Sequence, residues 1–241
     1  MIEVDLIKKH GKKVLGMAEH NHQKQTWRQR LPEILLEIGI IVFAIMLSIQ
    51  LHAWHEHALD KQAEREFLTG LKTDLQNDLK ELGRDSLTYV QMRQGFRYFA
   101  HLTPQNANKD TIEYASGVFY TLTQLIPNNS RFEGFKSAGK LTVIEDKELL
   151  NNILDLYQEF IPGLLEATQD YSLFIRDQLR PYLDEHLNST DSNLVTVVAA
   201  KRMKRYLQQG QSVDHILYRY HATMQQSRRI IKKIDQTLAD D

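Results

Sequence analysis

No charged residue occurs between Ile38 and Leu51, and between Arg30 and Glu56 the only charges are Glu33 and Glu37, near the start of the run. A helix built from this stretch is apolar on every face, so it has no polar side to turn toward water. Fourteen uncharged residues are short for a bilayer. A helix from Ile34 to Trp54, however, reaches about 31 Å at ~1.5 Å per residue, close to the ~30 Å hydrocarbon thickness. The run reads as one transmembrane helix over residues 32–54. Pro32 suits a first helical turn, where no backbone donor is required, and Glu33 and Glu37 then lie near the positive end of the helix dipole. At the other end Trp54, with His52, His55 and His57, supplies the amphipathic side chains that favour the headgroup zone.

Charge asymmetry sets an expected orientation. Lys8, Lys9, Lys12, Lys13, Lys24, Arg28 and Arg30 precede the run, whereas only Lys61, Arg65 and Lys72 follow it before Lys80. The positive-inside bias places residues 1–31 in the cytoplasm as a basic tail and residues 55–241 on the opposite side. Two rival readings exist. A cleaved signal peptide is opposed by a hydrophilic leader of about thirty residues and by the lack of an A-x-A-like site after the run. The central helix of a soluble protein is also apolar all round, but it has no reason to carry asymmetric flanks.

The rest of the chain reads as helical. Eleven glycines and five prolines in 241 residues are sparse punctuation, which suits long helices and not many short strands. Phe67, Leu68, Leu71, Leu75, Leu79, Leu82, Tyr89, Met92, Phe96 and Phe99 recur at helical spacing. Glu64, Arg65, Asp74, Lys80 and Arg84 fall on what reads as the solvated side. Gly70, Gly83 and Gly95 are the expected places for a bend or break. After a loop over 101–109, a second helix is expected to carry Ile112, Ala115, Phe119, Leu122 and Ile126, ending at Pro127. A third comes after Gly139, capped by Asp146. Pro162 and Gly163 are expected to kink or interrupt it, and Pro181 to limit the regularity of its continuation toward Leu187. Residues 188–192 form the next loop. Two last helices, over 194–209 and 213–238, are expected to be separated by Gly210, with Ser212 as N-cap. The predicted fold is all-α: one N-terminal transmembrane helix followed by an irregular antiparallel helical bundle.

Two blocks carry a family resemblance. Glu37-Ile38, the apolar run, Gln50, Trp54 and Glu56 resemble the signature of an uncharacterised bacterial family of single-span membrane proteins, a domain of unknown function. Its span typically reads Glu-Ile, aliphatic residues, then Gln-Ile-Asn-Asn-Trp-Asn-Glu, and this chain matches it without a gap from Glu37 to Glu56. The block from Phe135 to Leu141, with Ile144 and Lys147-Glu148-Leu149, is similar to the family's internal motif. The chain departs from the family at His52 and His55, where Asn is usual, and at Ala44, where Gly is common. The resemblance implies a bacterial inner membrane.

Chemistry is harder to find. Without cysteine, disulfides, thiolate zinc sites and cysteine nucleophiles are excluded. Thirty basic against 31 acidic residues give a net charge of −1, which argues against nucleic acid as a partner. Gly134 to Lys140 matches the start of a phosphate-binding loop, but Leu141 stands where a hydroxyl must reach magnesium. Gly134, Gly139 and Lys140 therefore read as a tight structural turn that packs closely. His52, His55 and Glu56 share a helix face, where membrane anchoring is a commoner role than metal binding. Glu37 pairs with Arg28 or Arg30, or else faces a partner helix, and Ala44 with Ser48 offers a small-residue surface for one. Lys201, Arg202, Lys204 and Arg205, with Arg228, Arg229, Lys232 and Lys233, form two basic clusters whose ordinary role is solvated surface and whose alternative is an anionic partner. No spacing marks a nucleophile with its base, so neither catalytic residues, metal, cofactor nor enzyme activity is expected. The expected partners are the lipid bilayer and either another envelope protein or a second copy of the chain. The sequence points to a membrane-anchored interaction or scaffold protein, with a ligand-sensing module as the alternative and an envelope hydrolase as a third class.

Overall fold

A computed structural model describes residues 27–188, 190 and 192–240. Most of the basic tail lies outside the described residues, as do Ser189 and Asp191 of the expected loop. Helices account for nearly all regular structure, and no strand occurs among the described residues. The chain divides into one unit that ends at Leu59 and another over Asp60–Asp241.

Helix α1, Trp27–Ala100, contributes to both units. It starts five residues before the expected N-terminus, so Pro32 lies within the helix and not in its first turn. A proline there removes only the bond to the carbonyl four residues back, close to an end that is weakly held. No acid occupies the first turn, and the dipole argument for Glu33 and Glu37 lapses, because that effect fades beyond one turn. The helix also runs without interruption through Gly70, Gly83 and Gly95. Two of these serve packing. A Cβ on Gly70 would collide with the Arg131 guanidinium, and one on Gly95 would stand 3.1 Å from the Val118 Cβ.

From Glu64 onward the buried positions of α1, Phe67 apart, come at alternating steps of four and three: Glu64, Leu68, Leu71, Leu75, Asp78, Leu82, Asp85, Tyr89, Met92, Phe96 and Phe99. That rhythm keeps one stripe of a helix facing its neighbours over many turns. Glu64 thus belongs to the core side, not to the solvated side expected from its charge. The stripe meets the rest of the domain largely through aromatic rings. Phe67 stacks on Phe135 at 4.0 Å, Tyr89 meets Tyr171 and Tyr220, and Phe96 and Phe99 hold Phe119.

Beyond α1 the expected second helix is cut short. Helix α2 spans Lys109–Ser116, capped by the Asn108 side chain on the amide of Thr111, and leads into a 3-10 turn, Gly117–Phe119. Residues 120–129 then form a non-helical strap, and Leu122 and Ile126 are exposed. Helix α3, Ser130–Ser137, contains Gly134. The expected turn is therefore confined to Gly139, whose φ of 70° is the left-handed conformation that glycine adopts freely, and to Lys140 after it. A Cβ on either glycine would meet nothing within 4 Å, so backbone conformation and not close packing explains Gly139.

Helix α4, Lys147–Asp155, has the expected cap, with the Asp146 carboxylate accepting from the amide of Leu149 at 3.0 Å. The prolines do not interrupt the stretch beyond it. A π-helical turn Leu156–Phe160 leads into α5, Ile161–Phe174, and a second, Ile175–Leu179, leads into α6, Arg180–His186. Pro162 and Pro181 each sit two residues after such a turn. The Ile161 and Arg180 amides donate to carbonyls five residues back, so the helix widens where each proline has no amide to give. The last expected pair is really three helices: α7, Leu194–Ala199; α8, Lys201–Gln211; and α9, Asp214–Asp240. The break falls at Ala200, in extended backbone (ψ 142°), so 194–209 is not one helix. Gly210 lies inside α8, where a Cβ would collide with the Phe96 ring and where its carbonyl accepts from the Tyr171 hydroxyl at 3.0 Å. Ser212 ends α8, its hydroxyl donating to the Gln208 carbonyl, and caps no later helix. Helix α9 packs along α4, the first π turn and α5 to close the bundle.

Candidate membrane helix and carboxylate ladder

Along α1 from Leu35 to Leu59 every side chain is exposed, including Leu36, Phe43, Met46, Ile49 and Trp54. This is a helix long and apolar enough to cross a membrane, and none of its apolar window is buried by protein. A core helix of this domain would be covered by it, and this stretch is not. Glu37, Ala44, Ser48, Gln50, Trp54 and Glu56 are all exposed positions of this segment. Ala44 and Ser48 are one turn apart on one face. The side chains of Arg28, Arg30 and Glu33 lie outside the described residues, and with them the expected pairing of Glu37. His52, His55 and Glu56 are not assembled into a ligand set: no group of three or more metal-binding side chains is found among the described residues.

The second arrangement is one that apolar patterning alone does not reveal. Five carboxylates of α1 hold backbone and side chains of distant segments: Asp74 Oδ2 accepts from Arg131 Nε at 2.9 Å, and Glu64, Asp78, Glu81 and Asp85 make the contacts that follow. Glu64 Oε1 accepts from the Glu145 amide at 2.9 Å, immediately before α4. Asp78 Oδ1 accepts from both the amide (3.1 Å) and the side-chain nitrogen (2.6 Å) of Asn128. Glu81 accepts from the Ile126 amide at 2.9 Å. Asp85 accepts from the Thr123 hydroxyl at 2.6 Å and, through its other oxygen, from the Tyr220 hydroxyl at 3.4 Å. The Tyr89 hydroxyl closes the set by donating to the Thr123 carbonyl at 3.0 Å. A strap that forms no helix must satisfy its backbone amides elsewhere, and here α1 supplies the acceptors.

Burial has electrostatic consequences along this column. Desolvation pushes Asp78 above its ordinary value near 3.8, partly offset by the two Asn128 donors, and its second oxygen has no partner. Tyr89, Tyr157, Tyr171 and Tyr220 are likewise raised, first by burial; the charge of Asp85 adds to this at Tyr89 and Tyr220, and that of Asp78 at Tyr157. These phenols stay neutral at any ordinary pH; Tyr89, Tyr171 and Tyr220 serve as hydrogen-bond donors, not as bases, whereas the buried Tyr157 hydroxyl meets no partner among the described residues.

The basic clusters are partly occupied. The Arg202 guanidinium lies over the Tyr182 and Tyr206 rings and donates to the Tyr206 hydroxyl at 2.8 Å. Lys233 pairs with Glu148 at 2.6 Å. Lys201, Lys204, Arg205, Arg228, Arg229 and Lys232 are all exposed. Comparison with known proteins returns no matching family model, no matching curated protein and no matching solved structure.

The ladder has a signal in the sequence. Glu64, Asp78 and Asp85 fall on the same alternating rhythm as the leucines, and an acid on a core rhythm calls for a donor across from it. What the sequence does not indicate is which donors, because the strap lies 38 to 50 residues further along the chain.

Proposed function

We propose that this chain is a single-span protein of a bacterial inner membrane, with its basic tail in the cytoplasm and its helical domain on the periplasmic side, where it acts as an interaction or scaffold protein for another envelope protein. The observation that carries this reading is the segment Leu35–Leu59, uncovered and with an apolar run on every face, in the same chain as a domain that buries its own apolar stripe. Its uncharged run from Ile38 to Leu51, apolar on every face, suits hydrocarbon and not water. The Lys/Arg excess before it supports the orientation. The domain's buried carboxylates are engaged in holding its own backbone, which supports an architectural role over a catalytic one. A ligand-sensing role is the second reading, favoured by an uncharged cleft beside α2.

The natural absence of cysteine makes the test direct. Single cysteines at Gln25 and at the exposed loop position Gln105 are treated in spheroplasts with a membrane-impermeant maleimide. Labelling of Gln105→Cys alone, with Gln25→Cys reacting only after lysis, is the expected result, and the reverse pattern sinks the orientation. Brief in-cell crosslinking of the full chain and mass determination of the product then test the scaffold role: one stoichiometric envelope protein is expected. Recovery of the chain alone turns attention to self-association or sensing.

A further inference from the structure

Thr88, Gln91, Gly95 and Tyr98 form a second stripe along α1, distinct from the buried one. Opposite it stand Thr111 and Tyr114 of α2, then Val118 and Thr121. Between them lies a cleft of about 430 Å³, within the roughly 300–1,000 Å³ range of small-molecule sites. Gly95 sets its depth, because any side chain there would press on Val118.

The lining is unusual for this chain. A quarter of all residues are charged, yet none of the described residues lining the cleft is. Its chemistry is that of amides, hydroxyls and phenol rings. Thr88, Thr111 and Thr121 spend their hydroxyl protons on the Arg84 carbonyl, the Asn108 side chain and the Gly117 carbonyl, which leaves oxygen lone pairs free to accept. Gln91 and Gln94 make no side-chain hydrogen bond within the described residues and present both a donor and an acceptor. Tyr98 contributes to the wall, its hydroxyl closed off from solvent. Helix α2 buries none of its residues, and Tyr114 is 90% exposed at the rim.

Each ligand class meets these groups differently. An ion would lose its hydration shell without finding a counter-charge. A hydrocarbon would strand the amides. A sugar ring carries hydroxyls for the amides and threonines, and its C–H face lies flat against a phenol. We propose that the cleft between α1 and α2 is a binding site for a neutral carbohydrate of one or two rings, with Tyr114 as the stacking platform and Gln91 and Gln94 as the hydroxyl-reading amides.

The test is calorimetric titration of the full chain in lipid nanodiscs prepared without glycosidic detergent, using cellobiose and N,N′-diacetylchitobiose as probes and glucuronic acid as the charged control. Saturable binding of at least one neutral probe is expected, with Kd on the order of 10⁻⁴ to 10⁻³ M. Tyr114→Ala, at an exposed position that leaves the fold intact, weakens it roughly tenfold, as does Gln94→Leu. Absence of saturable binding to both neutral probes at about 10 mM, well above the expected Kd, overturns the proposal. So does preference for the acid, or an affinity that Tyr114→Ala and Gln94→Leu leave unchanged.

Discussion

Two stretches of α1 obey opposite rules. From Leu35 to Leu59 the helix carries its apolar run around the whole circumference and no residue is buried, whereas from Asp60 to Ala100 it is far more polar and buries one continuous stripe. The more hydrophobic stretch is the uncovered one. Amount of apolar surface therefore does not decide what protein packs against; arrangement does. A stripe with alternating steps of three and four specifies neighbours, while uniform hydrophobicity specifies only a solvent.

Reciprocal arginines break this comparison most forcefully. Leu75→Arg places an unpaired charge at a fully buried stripe position and is expected to cost more than about 4 kcal/mol, enough to unfold the domain. The membrane attachment proposed for the chain is expected to survive it. Leu47→Arg, in the uncovered stretch, is expected to cost about 3 kcal/mol of membrane insertion and to leave the domain's helical fold unchanged. Carbonate extraction of membranes and circular dichroism read the two effects separately. Loss of the domain fold in Leu47→Arg would mean that the apolar stretch packs on protein after all.

The acids of the stripe give the next effect. Asp85→Ala leaves the Thr123 and Tyr220 hydroxyls without their acceptor, at a cost of about 1–3 kcal/mol, and frees one end of the strap. Hydrogen exchange is expected to accelerate at the Ile126 and Asn128 amides more than in α9. A uniform loss of protection would show that the strap has no independent hold on α1.

These acids also mark where the legibility of the sequence stops. Phe67 through Phe99, the Asp146 cap and the apolar run are legible because each is a local pattern, complete within a few turns of its own helix. Asp78 and Asp85 share the same rhythm, yet a search for apolar residues passes over them, and their partners are set by a tertiary contact. The strap itself reads as helix in the sequence, since Leu122 and Ile126 continue the spacing of Ile112, Ala115 and Phe119. Glu81, Asp78 and Asp85 instead satisfy its amides and hydroxyls, so an intrinsic helical preference yields to acceptors supplied by another segment. At Pro162 and Pro181 the local rule predicts a break, and a π turn before each one accommodates the missing amide. The uncharged cleft is invisible for a different reason: its signal is the lack of charge on residues from two elements.

Asp78 supplies a smaller, pH-dependent effect. Burial raises its folded pKa above the value near 3.8 expected for the unfolded chain. Well above the folded value the carboxylate is ionised in both states, and the fold bears the desolvation cost. As pH falls through the folded value the native state takes up its proton first, so this residue's contribution to stability rises toward acid and levels off below the unfolded value. Asp78→Asn keeps an oxygen for Asn128 without the charge. It is expected to stabilise the domain at neutral pH by on the order of 1 kcal/mol and to flatten this part of the pH profile. Urea unfolding of the full chain in nanodiscs, run at several values from about pH 4 to about pH 7, checks both. A net loss of stability at neutral pH would show the charge to be favourable in place.

The finest test applies one substitution on both sides of the comparison. Gly39 and Gly83 are glycines of the same helix, and a Cβ on either would meet nothing within 4 Å. Neither change creates or removes a tertiary contact, so helix propensity and the surrounding solvent are the only variables. Gly83→Ala, in the water-exposed face of the packed stretch, is expected to stabilise the domain by up to about 1 kcal/mol through backbone entropy. Gly39→Ala is expected to leave urea unfolding of the domain unchanged: a helix in hydrocarbon is already held by backbone bonds that have no water to exchange with. Equal gains from both substitutions would place Gly39 in the same aqueous folding equilibrium as Gly83. The two stretches would then differ in composition but not in the medium that each was selected to meet.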